Sequence, residues 1–328
     1  MTDKPASSRA TRIAYIDAAK TICIFLMVVG HWTDNKLLIT YIYSFHMPAL
    51  FVVSGILYKP HPWTKTIIAF SVPLVCFSLL NLAVQIILKE VSLYSISFPK
   101  IFFQIFHYRY GLGESLMIGD WFLWALVFIR FLFGDITGLN WLRKYYILIA
   151  VIAIIYMSFE NSLISIDTIF RGYLFGRAIP SLPFFCVGII IKEKGWNPQN
   201  QPLPVIVLSL IAFIIVPLVN QATGIIDNGY GYSYIIFFVC AIFSTLLIFW
   251  LSDKIPSSRF TETISKGTLV VLGTHIPLLT ILRHMLSNEF EFLFPIITII
   301  TCYYIIIGCE RYCPILLGKI KRQPKISQ

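Results

Sequence analysis

The chain has 328 residues, of which 57% are hydrophobic and 13% charged, with a formal net charge of +10. Soluble domains carry roughly a quarter charged residues, so a soluble enzyme or a soluble nucleic-acid binder is excluded, and the basic excess is expected in cytoplasmic loops instead. The composition predicts an all-α polytopic membrane helical bundle lying in a lipid bilayer, with no nucleic-acid partner.

Apolar runs near the roughly 20 residues needed to cross a bilayer recur along the chain. They predict about ten transmembrane helices, near 13–31, 41–58, 66–88, 119–133, 145–156, 171–191, 204–219, 232–251, 266–284 and 290–309. A polar head, 1–12, precedes them, and a basic tail, 311–328, follows the membrane domain of 13–310. The first run is interrupted by Asp17 and Lys20 and lacks a small-residue cleavage site, so no cleavable leader is expected. With the N-terminus inside, 17 Lys and Arg fall in inner segments and 6 in outer ones, while Lys20, Arg130 and Arg177 stay within spans. Both termini are therefore expected in the cytoplasm. The seven cysteines lack metal-type spacing and are expected to be buried free thiols, and no metal site is expected. The long outer loop, about 89–118, is rich in aromatic residues and suits a position on the membrane surface.

The first span, "DAAKTICIFLMVVGHW", holds three ionisable groups. From Lys20 to His31 is eleven steps, about three turns and ~16 Å, so both side chains share one helical face, with Asp17 about 60° away. Ionisable groups facing lipid are costly, so this stripe must face the bundle interior or a wet cavity. The alternative is an ion pair of Asp17 and Lys20 at a membrane boundary, with His31 merely interfacial. The second span, "YSFHMPALFVVSGILY", runs back from the same side after a short loop, which puts His46 near the depth of His31. Pro48 falls in its first turn, where a missing N–H is harmless. Ser54-Gly55 suits the close approach of another helix.

These two stretches resemble the integral-membrane acyltransferase family three, and most of all its fucose 4-O-acetylase-like branch. "IIAFSVPL", "DWFLWALVFIRFLF", "LPFFCVGIIIKEKG" and "GTLVVLGTHIPLL" follow in the family's order, so that the likeness covers roughly 12–310. It implies a bacterial inner-membrane enzyme that moves an acyl group, commonly acetyl from cytoplasmic acetyl-CoA, onto a sugar hydroxyl of a cell-surface glycan or its lipid-linked precursor. The family's basic-x(10)-His motif falls on Lys20 and His31, with Lys where many relatives have the bidentate Arg.

A neutral histidine within reach of a sugar hydroxyl can take its proton as the oxygen attacks a thioester. His31 is the candidate base, with His46 beside it. Asp17 is too far along the helix to orient His31, and is expected to hold Lys20 or a neighbour at the donor end. Lys20, Lys59, Lys65 and Lys266 lie on the inner side, where the phosphates of the acyl-CoA would sit. Asp120, Trp121, Trp124, Arg177 and His275 are candidates for the sugar side, with Trp32, Tyr43 and Arg171 near them. His275, mid-span, is also a second catalytic candidate. The tryptophans and tyrosines equally suit an interfacial belt. The main rival reading is a transporter or flippase for a lipid-linked sugar, in which the stripe forms the path; paired repeats, which that reading favours, are not evident.

Overall fold

The computed structural model describes residues 13–90, 120–159, 174–222, 224–225 and 229–319. The polar head, most of the long outer loop, Arg171 and the end of the basic tail lie outside the described residues. Apart from an isolated bridge between Gly224 and Gly229, the described chain is helical or irregular.

Twelve α-helices make up the bundle among the described residues: α1 Ala14–Trp32, α2 Lys36–Tyr43, α3 His46–Ile56, α4 Trp63–Ile87, α5 Asp120–Arg130, α6 Tyr146–Phe159, α7 Ala178–Glu193, α8 Leu203–Asn220, α9 Tyr234–Asp253, α10 Arg259–Lys266, α11 Thr268–Met285 and α12 Phe294–Tyr312. Among the described residues eight segments are long and apolar enough to cross a membrane: Ala14–Trp32, Lys36–Ile56, Trp63–Ile87, Trp141–Phe159, Leu203–Asn220, Tyr234–Asp253, Thr268–Met285 and Glu289–Tyr312. The other two expected spans are helical but shorter. One is α5, which runs into a π-turn at Phe131–Asp135 and stops at Gly134, with a φ of 131°. The other is α7, preceded by one 3-10 turn at Leu174–Arg177. The fold is an all-α polytopic membrane bundle.

The second span begins earlier than its hydrophobic run suggests and is broken in two. At the break Ser44 Oγ donates to the Tyr41 carbonyl at 2.7 Å, and Phe45 leaves the helical region with φ −147°. The side chain thus competes with the helix for a backbone acceptor. Pro48 then sits in the first turn of α3 as expected.

α1 is the central helix, packed on α2, α3, α9, α10, α11 and α12. α3 and α7 make the most extensive pairing among the described helices. A methyl added at Gly55 would overlap the Phe185 carbonyl, and one at Gly188 the Val52 carbonyl. In lipid, packing rather than water exclusion holds helices together, so small residues set the approach distance. Around this seam Phe51, Phe184, Phe185 and Phe133 are fully buried. α6 and α8 leave most of their apolar surface exposed, as lipid-facing helices do. The cysteines are free, but Cys76 and Cys313 are exposed rather than buried. Past α12, the turn Pro314–Leu317 packs on α4 and buries Leu317.

Candidate active site

The stripe on α1 leads into two cavities, one at each end. The one at the N-terminal end of α1, the inner cavity if that end is cytoplasmic, has a volume of about 1020 Å³, and Asp17, Lys20, Lys59, Lys192, Ser265 and Lys266 are among the residues that line it. The amphipathic helix α10 forms part of its wall. α10 starts on a capping box, in which Ser258 Oγ accepts from the Thr261 N–H at 3.1 Å, satisfying donors left orphaned at a helix start. At its other end Ser265 Oγ–H donates to Asp17 Oδ1 at 2.5 Å, and Lys20 Nζ donates to the Ser265 carbonyl at 2.5 Å. A cation there also suits the negative end of the helix dipole. Thr21 Oγ1 bonds the Thr261 carbonyl at 3.2 Å. Asp17 and Lys20 therefore clamp α10 to α1 while facing the cavity. Lys65 stands exposed in the first turn of α4 and does not line the cavity. Lys192, at the end of α7, does.

At the outer end, His31, Tyr43, His46, Trp121 and His275 surround a cavity of about 40 Å³, closed by Met27, Met47, Gly224, Ile225 and Leu272. That volume suits a few waters but no sugar ring. The His31 and His275 ring centres are 5.1 Å apart, as are those of Tyr43 and His46, and His31 is 6.2 Å from Tyr43. His46 Nδ1–H donates to the Ile42 carbonyl at 2.7 Å, and His275 Nδ1–H to the Val271 carbonyl at 2.8 Å. In a neutral ring this leaves the lone pair on Nε2. The His275 Nε2 is buried and accepts no hydrogen bond from the described protein atoms. Such a buried acceptor costs about 1–3 kcal/mol unless a donor reaches it. Among the described residues no group of His, Cys, Asp or Glu is placed to hold a metal ion.

Several details hold this cluster. Arg283, eight residues along α11 from His275, donates to the Trp32 carbonyl at 2.9 Å and to that of His31 at 3.5 Å. It thereby caps the C-terminal end of α1 and ties the two histidine helices together. The Tyr43 hydroxyl donates to the Gly30 carbonyl at 3.3 Å, and a methyl at Gly30 would lie 2.6 Å from the Tyr43 ring. Buried Asn220 fixes the loop that carries Gly224 and Ile225, donating to the Tyr230 carbonyl at 2.6 Å and accepting from the Ser233 N–H at 3.1 Å.

Of the residues expected around the sugar, Tyr43, His46, Trp121 and His275 line this cavity, while Trp32, Trp124 and Arg177 do not. Trp124 is half-buried against the core. Arg177 is buried where the turn Leu174–Arg177 packs on α5. Asp120 opens α5, and its side chain lies outside the described residues. Between the two cavities the stripe is apolar. Met27 stands on the line from Lys20 to His31, and buried Cys23 and Ile24 flank it. The ends of the stripe are thus separate cavities, with packed side chains between them.

His275 and Tyr43 were legible in the sequence as residues but not as neighbours of His31. Ser265, Lys192, Arg283 and the loop of Gly224 and Ile225 carried no comparable signal. The turn residues of "NQATGIIDNG" marked only that a loop was there.

A family model described as an acyltransferase domain matches residues 13–309. Neither a curated protein nor a solved structure is found to match. The match runs through both cavities and nearly the whole described bundle, and the chain belongs to the acyltransferase-3 family of multi-pass membrane proteins.

Proposed function

We propose that the protein is an O-acetyltransferase of the bacterial inner membrane, close to the fucose 4-O-acetylase-like branch. It takes an acetyl group from cytoplasmic acetyl-CoA held at the inner cavity. It passes that group to a sugar hydroxyl of a surface glycan or its lipid-linked precursor at the outer one. The observation that carries this reading is the pairing of sites on one helix: a lysine-lined cavity at one end of α1 and a three-histidine cavity at the other.

In this reading Lys20, Lys59, Lys192 and Lys266 hold the phosphates of the donor, and Asp17 keeps Lys20 and Ser265 in place. The inner cavity has the volume for a nucleotide-sized group. The thin acyl-bearing arm passes Met27, whose flexible side chain can change rotamer to admit it. At the outer cavity a His31 nitrogen accepts the proton of the sugar hydroxyl as its oxygen bonds to the thioester carbonyl carbon. The tetrahedral intermediate collapses with loss of the thiolate, which takes the proton back from His31. The products are the acetyl ester and free CoA. The His275 Nε2 accepts a hydrogen bond from the incoming acceptor, and His46 and Tyr43 keep the His31 ring in position. Because the closed cavity cannot hold a sugar ring, the acceptor presents a hydroxyl at its mouth or opens it.

The test is transfer of labelled acetyl from acetyl-CoA to glycan in membranes holding the protein, compared with membranes holding a His31→Gln variant at matched amounts. Label in the glycan that depends on His31 supports the reading. Movement of unmodified lipid-linked sugar across vesicles, with no label transferred, would turn it to a flippase.

A further inference from the structure

Beside Lys59 and Lys192 the inner cavity has a basic edge to which two arginines outside its lining belong. It is centred on Tyr58, just past α3, whose side chain is 2% exposed. The Arg130 guanidinium lies 5.1 Å from the centre of the Tyr58 ring and that of Arg143 5.9 Å. Arg130 also donates to the Lys59 carbonyl at 3.2 Å, and Lys192 Nζ donates to the Tyr58 carbonyl at 2.6 Å. Lys59 and Arg143 lie close enough to repel the Lys192 ammonium. Four cations from four segments therefore gather at Tyr58, two guanidiniums at its ring, Lys192 at its carbonyl and Lys59 next in the chain: the ends of α5 and α7, the chain after α3, and the 3-10 helix Thr137–Tyr145.

Part of this is ordinary capping. The C-terminal end of α3 attracts cations, and Arg130 and Lys192 bond the carbonyls of Lys59 and Tyr58 just past it. Lys59 and Arg143 add two charges beyond it. Among the described side chains the carboxylate beside Lys192 is Glu193, and it accepts from the Tyr146 hydroxyl at 2.7 Å. Like charges are gathered this closely where an anion with several acceptor oxygens will join them. Two planar guanidiniums held over a ring suit the tetrahedral oxygens of a phosphate.

We propose that Arg130, Arg143, Lys59 and Lys192 form a phosphate-binding site at the edge of the inner cavity. The phosphate belongs either to the donor, as its ribose 3′-phosphate, or to the headgroup of an anionic lipid. The first of these rests on the reading of the inner cavity as the acetyl-CoA site; the second does not.

The experiment uses the full chain in vesicles and compares acetyl-CoA with acetyl-3′-dephospho-CoA, and phosphatidylglycerol with phosphatidylcholine. For a donor phosphate, the wild type has a KM for the dephospho compound about tenfold above that for acetyl-CoA, the loss of one charge-assisted contact. Arg143→Gln brings that ratio near one by raising the acetyl-CoA value, and Arg143→Lys restores part of it. For a lipid phosphate, the wild-type ratio is near one, stability or rate needs phosphatidylglycerol, and Arg143→Gln loses that dependence. Lys59→Gln, at an exposed position, repeats the test should Arg143→Gln fail to purify as a single species. If both variants leave the phosphate ratio and the lipid dependence as in the wild type, the site is overturned. A wild type that does not saturate with acetyl-CoA overturns the donor reading instead, and the lipid comparison then judges the cluster alone.

Discussion

Replacing His31 by Gln removes the proposed base while keeping a polar side chain of similar reach. Two other histidines border the same cavity, so the size of the effect depends on whether either can stand in. The geometry argues against it. The His275 ring is 5.1 Å from that of His31 and is tethered through Nδ1 to the Val271 carbonyl. His46 is tethered in the same way to Ile42. Moving either ring into the His31 position would break a buried hydrogen bond and force a new rotamer in packed surroundings. The full loss of general-base catalysis is therefore expected, about 10²–10⁴-fold in the rate of the chemical step, or roughly 3–5 kcal/mol of barrier. Insertion and folding should be unaffected, because His31 is half-buried and its ring is not a hub of hydrogen bonds among the described residues. The assay is single-turnover transfer in membranes with matched amounts of protein, so that donor binding and product release do not mask chemistry. His275→Gln and His46→Gln, measured alongside, should be impaired less if they only place the acceptor and the His31 ring. A His31→Gln variant that keeps even a third of the wild-type rate refutes the assignment and moves the search for the base to His275 or His46.

Three other outcomes are expected. Lys20→Ala should raise the acetyl-CoA concentration needed for half-maximal rate by roughly tenfold, the scale of one charged hydrogen bond, with Lys20→Arg better tolerated; an unchanged donor dependence removes Lys20 from the site. Gly188→Ala drives a methyl into the backbone of α3 and should destabilise the bundle by about 1–3 kcal/mol, read as a lowered Tm in detergent. Gly308→Ala, which meets no atom within 4 Å, should not lower it, and equal effects would refute the close α3–α7 seam. Reporter fusions after Arg143, Lys194 and Arg322 should read cytoplasmic and fusions near Lys100 and Asp227 external; the reverse pattern would place the lysine cavity on the wrong side for a cytoplasmic donor.

The residues of α1 show how far the amino-acid order alone reaches. Helical periodicity put Lys20 and His31 on one face, and the cost of charge in lipid turned that face inward. Both follow from local geometry, as do the helical class of the spans and the first-turn place of Pro48. The break at Ser44 and Phe45 was not legible, because it depends on a side chain winning a carbonyl from the helix. Nor was the partner of each polar group. Ser265, which joins both Asp17 and Lys20, is 248 residues from Asp17, and periodicity says which way a helix faces but not which helix it meets. The same limit hid the meeting of His31 with His275, and of Arg130, Arg143 and Lys192 around Tyr58. It also hid the closure between the two cavities: Met27 reads as one more apolar residue, and only the packing of neighbouring helices makes it a plug. Sequence thus determined which residues must be sheltered from lipid. The tertiary packing, set by contacts such as that of Gly55 with Gly188, decided which of them meet.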